Sequence, residues 1–286
     1  MTNPNPTIRP ATRQEINLAL DWAAAEGWNP GICDAVPFHA ADPEGFLVGL
    51  VDDEPVAVIS AVKYGTTFGF IGFYIVRPDV RGLGYGWAIW QAAMARLANR
   101  QIGLDGVVDQ QDNYRKSGFR LAHRNVRYQG VGGAGEHSKP APGECVPLPS
   151  LPFNEVAEYD KGFFPTLRAE FLHHWIAQPQ TEALGFLVDG RIAGYAVMRP
   201  CRNGHKIGPL FADTATGAER LFVALAAHAP EGSPVFLDVP ECNPAAVELA
   251  HRYGMAVVFE TARMYTGSAP DIAIDRTYGI TSFELG

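Results

Sequence analysis

Arg81-Gly82-Leu83-Gly84-Tyr85-Gly86 lies between a strand-like run, Phe70 to Val76, and a helix-like run, Trp87 to Asn99. Glycines between a strand and a helix let backbone N–H groups close around a phosphate, and the following helix adds the positive end of its dipole. Two familiar nucleotide loops are excluded by the neighbours. A P-loop needs Lys and then Ser or Thr after its glycines, but Trp87-Ala88 follows here. A dinucleotide fingerprint reads G-x-G-x-x-G, whereas this spacing is G-x-G-x-G, with Arg81 in front.

The run Val76 to Gly86 instead resembles the acetyl-CoA pyrophosphate loop of the GNAT superfamily of N-acetyltransferases. Its Gln/Arg-x-x-Gly-x-Gly/Ala pattern is met by Arg81, Gly84 and Gly86. Downstream, Asn113-Tyr114-Arg115-Lys116-Ser117-Gly118-Phe119 resembles that family's Asn…Tyr-x-x-x-Gly-Phe element. The resemblance covers residues 8 to 130 directly. It implies an α+β fold with a mixed central sheet flanked by helices, and acetyl-CoA as co-substrate. It also assigns parts. The backbone of Phe73, Tyr74, Ile75 and Val76 would pair with the pantetheine arm. Arg81, Gly82, Leu83, Gly84, Tyr85, Gly86 and Trp87 would hold the pyrophosphate. Asn113 would lie beside the pantetheine, and Tyr114 would protonate the departing thiolate. Asn113 and Tyr114 are adjacent here but well separated in the family, so the helix before Gly118 is expected to be short or irregular.

The chain repeats itself. Gly45-Phe46-Leu47-Val48 recurs as Gly185-Phe186-Leu187-Val188, Ile71-Gly72 as Ile207-Gly208, Gly118-Phe119 as Gly254-Met255, and Tyr128-Gln129-Gly130 as Tyr265-Thr266-Gly267. Four matches in order, at offsets of 136 to 140, indicate duplication of one domain. The expected layout is a catalytic GNAT domain at 1–130, a Gly/Pro-rich linker at 131–143, and a degenerate GNAT-like domain at 144–286. The second copy has Ala212-Asp213-Thr214-Ala215-Thr216-Gly217 where the first has its glycines. Asp213 would repel a pyrophosphate at close range.

Composition bounds the partners. A net charge of −8 without a basic cluster argues against nucleic acid, and no run approaches ~18 uninterrupted apolar residues, which argues against a membrane span. Met1 to Pro10 has no apolar signal core, so a cytoplasmic protein is expected. Cys33, Cys145, Cys201 and Cys242 are scattered and form no C-x-x-C, and His173-His174 reads as surface and packing, so no metal is expected.

Phe70 to Val76 contains no carboxylate, so the general base stays open among Asp105, Asp109, Glu44 and His123. Acceptor recognition in the family comes from the early helices. Here Trp28 lines a pocket wall and Asp34 pairs with a cationic amine, or else Asn29-Pro30-Gly31 merely turns the chain and Trp28 caps a core. The expected activity is acetyl transfer to a small-molecule amine. Peptide acetylation and a non-catalytic acyl-CoA sensor are the alternatives, and the oligomeric state is open.

Overall fold

The computed structural model describes residues 5–133 and 143–286, so most of the expected linker lies outside the described residues. The chain runs β1 (Thr7–Pro10), α1 (Arg13–Ala25), α2 (Ala35–Ala41), β2 (Phe46–Val51), β3 (Glu54–Tyr64), β4 (Phe68–Val76), α3 (Tyr85–Arg96), β5 (Gln101–Val107), α4 (Gln111–Lys116) and β6 (Phe119–Val131). The same order follows again as β7 (Glu144–Pro147), α5 (Phe153–Asp160), α6 (Ala169–Ile176), β8 (Glu182–Val188), β9 (Arg191–Pro200), β10 (His205–Ala212), α7 (Ala215–Ala226), β11 (Pro234–Pro240), α8 (Pro244–Arg252) and β12 (Ala256–Thr266). A short β13 (Thr277–Gly279) has no counterpart among the described residues of the first half.

Local chemistry accounts for the first elements. Thr12 and Glu15 form a reciprocal capping box at the start of α1, and Ile16, Leu20 and Ala23 bury one face of that helix. Asp52 and Asp53 both take positive φ, at 50° and 62°. That backbone suits a two-residue hairpin turn, so β3 begins at Glu54 directly after it.

The strands form one continuous sheet in the order β1-β2-β3-β4-β5-β12-β6-β11-β10-β9-β8-β7. The two halves exchange their sixth strands. β12 pairs antiparallel with β5, from Thr261 opposite Val107 to Tyr265 opposite Gly103. β6 crosses over and pairs with β11, from Asn125 opposite Pro240 to Val131 opposite Pro234. The two exchanged strands pair with each other at the centre. A buried ion pair secures each visitor to its host. Arg263 on β12 forks onto Asp105 on β5 at 3.0 and 2.6 Å, and Arg127 on β6 forks onto Asp238 on β11 at 2.6 and 2.8 Å.

The halves also share a hydrophobic core. Phe38 of α2 stacks on Trp175 of α6 with centroids 6.0 Å apart, in a cluster that holds Phe46 and Phe73 from the first half and Phe164 and Phe171 from the second. Near this contact, Gly31 bridges Cys201, and the N–H of Ile32 donates to the Pro200 carbonyl at 3.1 Å.

Candidate active-site cleft

β4 and β5 run parallel from Phe68 opposite Gln101 to Ile71 opposite Leu104, and then part. The divergence begins at a bulge in β4. Ser60 faces Gly72 and Val58 faces Ile75, leaving one extra residue on β4. Phe73 takes φ 48° there, a strained conformation for a bulky residue that costs roughly 1–3 kcal/mol. Rings of Phe38 and Phe46, at 5.7 and 5.5 Å, hold its side chain. The strands thereby open a cleft of about 690 Å³, walled by Gly72 to Val76 on one side and by Leu104 to Val107 on the other.

At the outer end of the cleft stand Arg81, Gly82, Gly84, Gly86 and Trp87. Gly82 and Gly84 take φ of 81° and 95°, and a Cβ on either would meet no atom within 4 Å. The glycines are thus required by backbone conformation, and the space above them is open. α3 starts at Gly84 with no side-chain cap, so its first N–H groups, which no helical turn can satisfy, face the cleft. This arrangement fits an anionic pyrophosphate. Arg81 is already engaged: its Nε donates to the Val76 carbonyl at 2.9 Å, and its guanidinium pairs with Glu26 at the end of α1. Leu83 and Tyr85 are not on the cleft wall, the former half exposed and the latter buried.

Tyr114 lines the cleft from α4. Its ring packs against Trp90 at 5.6 Å and Phe119 at 6.5 Å. Burial, with Tyr74 adding a smaller contribution, pushes its hydroxyl above the usual phenol value. Burial raises the Tyr74 hydroxyl as well, and Tyr74 also lines the cleft. The helix before Gly118 is short, as its spacing implied: α4 has six residues, preceded by one 3-10 turn.

Two of the residues singled out in the sequence lie elsewhere. Asn113 is exposed and bonds Gln110 and Lys116 on its own turn, away from the cleft wall. Asp34 is fully buried, accepts from the Gly31 N–H at 2.8 Å, and holds Arg199 of β9 at 2.8 and 3.2 Å. It is a tie between the halves and is not available to an amine. Trp28 does line the cleft, and its carbonyl accepts from Arg127 at 2.6 Å. Breaking a buried pair leaves an uncompensated charge, so Asp34→Ala should cost about 3–5 kcal/mol of stability in urea unfolding. Asp34→Ala combined with Arg199→Met should recover much of that loss. A stable Asp34→Ala protein with impaired acceptor binding would restore the substrate role.

The four candidate bases fare differently. Asp105 reaches the cleft, but Arg263 and Asn125 occupy its oxygens. Asp109 is exposed. Glu44 is exposed and lies 3.5 Å from Arg96. His123 sits in a separate small cavity with Phe68 and Arg263, where burial and then Arg263 lower it to about 4. The residues that sequence reasoning did not reach come mainly from the second half. Phe259 and Thr261 of β12, followed by Phe283 and Glu284, also line the cleft, with Thr261 opposite Val107 at the end of β5.

The second half has closed its own version of this site. Thr214 Oγ1 accepts from the Gly217 N–H at 3.1 Å, capping α7. Asp213 at the same helix end takes bonds from Arg276 and from the Tyr159 hydroxyl, both at 2.8 Å. β10 and β11 part as β4 and β5 do, but the chain itself fills the gap. β13 pairs with β10, and the next residue, Ile280, donates to the Asp238 carbonyl on β11 at 2.9 Å. Among the described residues, no cluster of three or more His, Cys, Asp or Glu could hold a metal, and no helix is long and apolar enough to cross a membrane.

Comparison with known proteins agrees with this geometry. The family model described as acetyltransferase (GNAT) family matches residues 13–119, and that described as acetyltransferase (GNAT) domain matches residues 156–279. The chain is 32% identical over 285 residues to the holothin acyltransferase of a Pseudoalteromonas strain, covering 98% of this chain and 94% of that protein. An acetyltransferase-like protein from Pyrococcus horikoshii superposes with a TM-score of 0.82 at 23% identity, covering 100% of this chain and 98% of that one. A tandem GNAT protein from the clavulanic acid biosynthesis pathway gives 0.63 at 15% identity, covering 92% and 99%.

Proposed function

Because the chain belongs to the GNAT acyltransferases and carries two GNAT domains in tandem, we propose that it is an acetyl-CoA-dependent N-acetyltransferase for a primary amine of a small metabolite or amino-acid-like acceptor. The lining of the cleft carries this reading. Phe259, Thr261, Phe283 and Glu284 of the second half line it together with Trp28 of the first, so both halves supply aromatic walls to one cleft in which a small acceptor can meet the thioester. The holothin acyltransferase relative supports acyl transfer, and holothin is one acceptor to assay.

The residues divide the work. The open side of β4, Gly72 to Val76, offers backbone groups to the pantetheine amides in the manner of an added strand. The uncapped start of α3 and the glycine turn receive the pyrophosphate. Each anion–dipole contact is worth only about 0.3–1 kcal/mol, so several N–H groups must converge. Tyr114 donates a proton at the thiol end. When bound, acetyl-CoA supplies the activated acyl group.

Calorimetry with acetyl-CoA tests the site. One molecule should bind per chain, and Gly84→Val should weaken binding by about 10–100-fold, as expected for losing roughly 1.4–2.8 kcal/mol of amide contacts. Two molecules per chain, or undiminished binding by a folded Gly84→Val protein, would overturn the reading.

A further inference from the structure

Among the described residues, the Glu284 side chain has no hydrogen-bond partner. The residue is 3% exposed, it lines the cleft, and neither carboxylate oxygen receives a hydrogen bond. A buried carboxylate without donors is costly. The other buried acids around it are all engaged: Asp105 by Arg263, Asp238 by Arg127 and Asp34 by Arg199. Arg127 of β6, Arg199 of β9 and Lys206 of β10 each interact with Glu284 electrostatically. Lys206 spends its ammonium on the Asn29 carbonyl at 3.0 Å. Three cations therefore face three carboxylates, Asp238, Asp34 and Glu284, with the Cys201 thiol also buried among them. Among the described residues, Glu284 is the one of these three carboxylates whose two oxygens both lack a hydrogen bond.

Backbone contacts fix where residue 284 stands. After β13 the chain leaves the gap between β10 and β11 and crosses to the first half. The Ser282 hydroxyl accepts from the Leu285 N–H at 3.1 Å, and the Leu285 carbonyl accepts from the Tyr64 hydroxyl at 3.2 Å. The Glu284 carbonyl lies directly over Gly72, so closely that a Cβ there would collide with it. Gly72 is the residue at which β4 leaves β5, so the Glu284 backbone sits where the two strands part. Phe283 beside it packs under the Arg127 guanidinium, 4.6 Å from its ring centre.

We propose that Glu284 receives the acceptor amine, pairing with its ammonium and serving as the general base of acyl transfer. The assignment rests on the N-acetyltransferase reading above and supplies the base that reading lacks. An alkylamine arrives protonated, with a reference pKa of ~10.4. It passes one proton through Glu284 to solvent, and the nitrogen lone pair then forms the N–C bond to the acyl carbon. The C–S bond breaks with its electron pair going to sulfur, and sulfur takes the Tyr114 proton. One of the two protons on nitrogen goes to Glu284 and the other stays on the amide, while solvent carries the released proton back to the Tyr114 phenolate. The net change is amine plus thioester to amide plus thiol.

Glu284→Gln and Glu284→Asp, compared with wild type, test the assignment. Four readouts are needed: thermal unfolding, acetyl-CoA affinity, affinity of the acetyl-CoA-free protein for a panel of primary amines including n-butylamine, and thiol release against pH. Glu284→Gln should unfold like wild type and bind acetyl-CoA equally well. It should bind the amines at least tenfold more weakly and release thiol about 10²-fold more slowly at pH 7. Its rate should recover as pH rises towards the amine's own pKa, and Glu284→Asp should be intermediate. Unchanged amine affinity and turnover in Glu284→Gln would overturn the assignment. So would parallel losses of fold, acetyl-CoA affinity and turnover in both variants, since these would mark a structural residue. Failure of wild type to bind acetyl-CoA would instead overturn the acyltransferase reading itself.

Discussion

Tyr114→Phe is expected to lower kcat for acyl transfer by about 10²–10³-fold, within the range for loss of a positioned acid, while the acetyl-CoA affinity stays within twofold. The substitution removes one oxygen and keeps the ring, so packing on Trp90 and Phe119 is preserved. A thiol has a reference pKa of ~8.5 and a phenol ~10, so full transfer in water is uphill by about 2 kcal/mol. Burial raises the Tyr114 hydroxyl, but it also disfavours a bare thiolate in the same cleft, so the gap between donor and acceptor does not simply widen. The hydrogen bond strengthens as charge builds on sulfur, which is when it contributes to rate. Pre-steady-state thiol release measures the effect. Tyr74→Phe is the control, because Tyr74 shares the cleft but its hydroxyl lies beside Gly86 at the outer end. A larger loss in Tyr74→Phe than in Tyr114→Phe would exchange their roles.

The parts of the molecule that were legible in the sequence are those in which local chemistry and function coincide. The glycine turn was legible because Gly82 and Gly84 need positive φ. The duplication was legible because Ile71 and Ile207, or Tyr128 and Tyr265, occupy equivalent strands. α2 was not, being seven residues with a proline inside and held by the packing of Phe38 on Phe46, Phe73 and Trp175. Asp34 misled for a related reason: a lone acid after a turn reads as available until Arg199, 165 residues away, is seen beside it. Glu284 carried no signal, because its position depends on β13 entering the second half's open sheet. One long-range signal was present but unread. Asp105 recurs as Asp238 and Arg127 as Arg263, and these are the four residues that lock the exchanged strands.

That exchange implies that residues 5–133 expressed alone form no folded monomer. β5 would lose the whole ladder it makes with β12, and β6 would lose both neighbours. Asp105 would be left without Arg263, and an orphaned charge of this kind costs about 3–5 kcal/mol, a large share of the roughly 5–15 kcal/mol that holds a typical domain together. Phe38 and Phe73 would also lose the cover of Trp175 and its neighbours. The open edges and exposed rings favour association, and the repeat offers a specific form of it. β6 is the counterpart of β12, so two copies can each lend β6 to the other's β5, with Arg127 meeting Asp105 as Arg263 does. Sedimentation of the fragment should therefore show dimers or larger species and no folded monomer, and acetyl-CoA should not bind to any monomeric fraction. Co-expression with residues 143–286 should yield a soluble one-to-one complex that binds acetyl-CoA like the intact chain. A monomeric fragment with a cooperative unfolding transition and intact acetyl-CoA affinity would show that the exchanged strands are ornamental to the catalytic half.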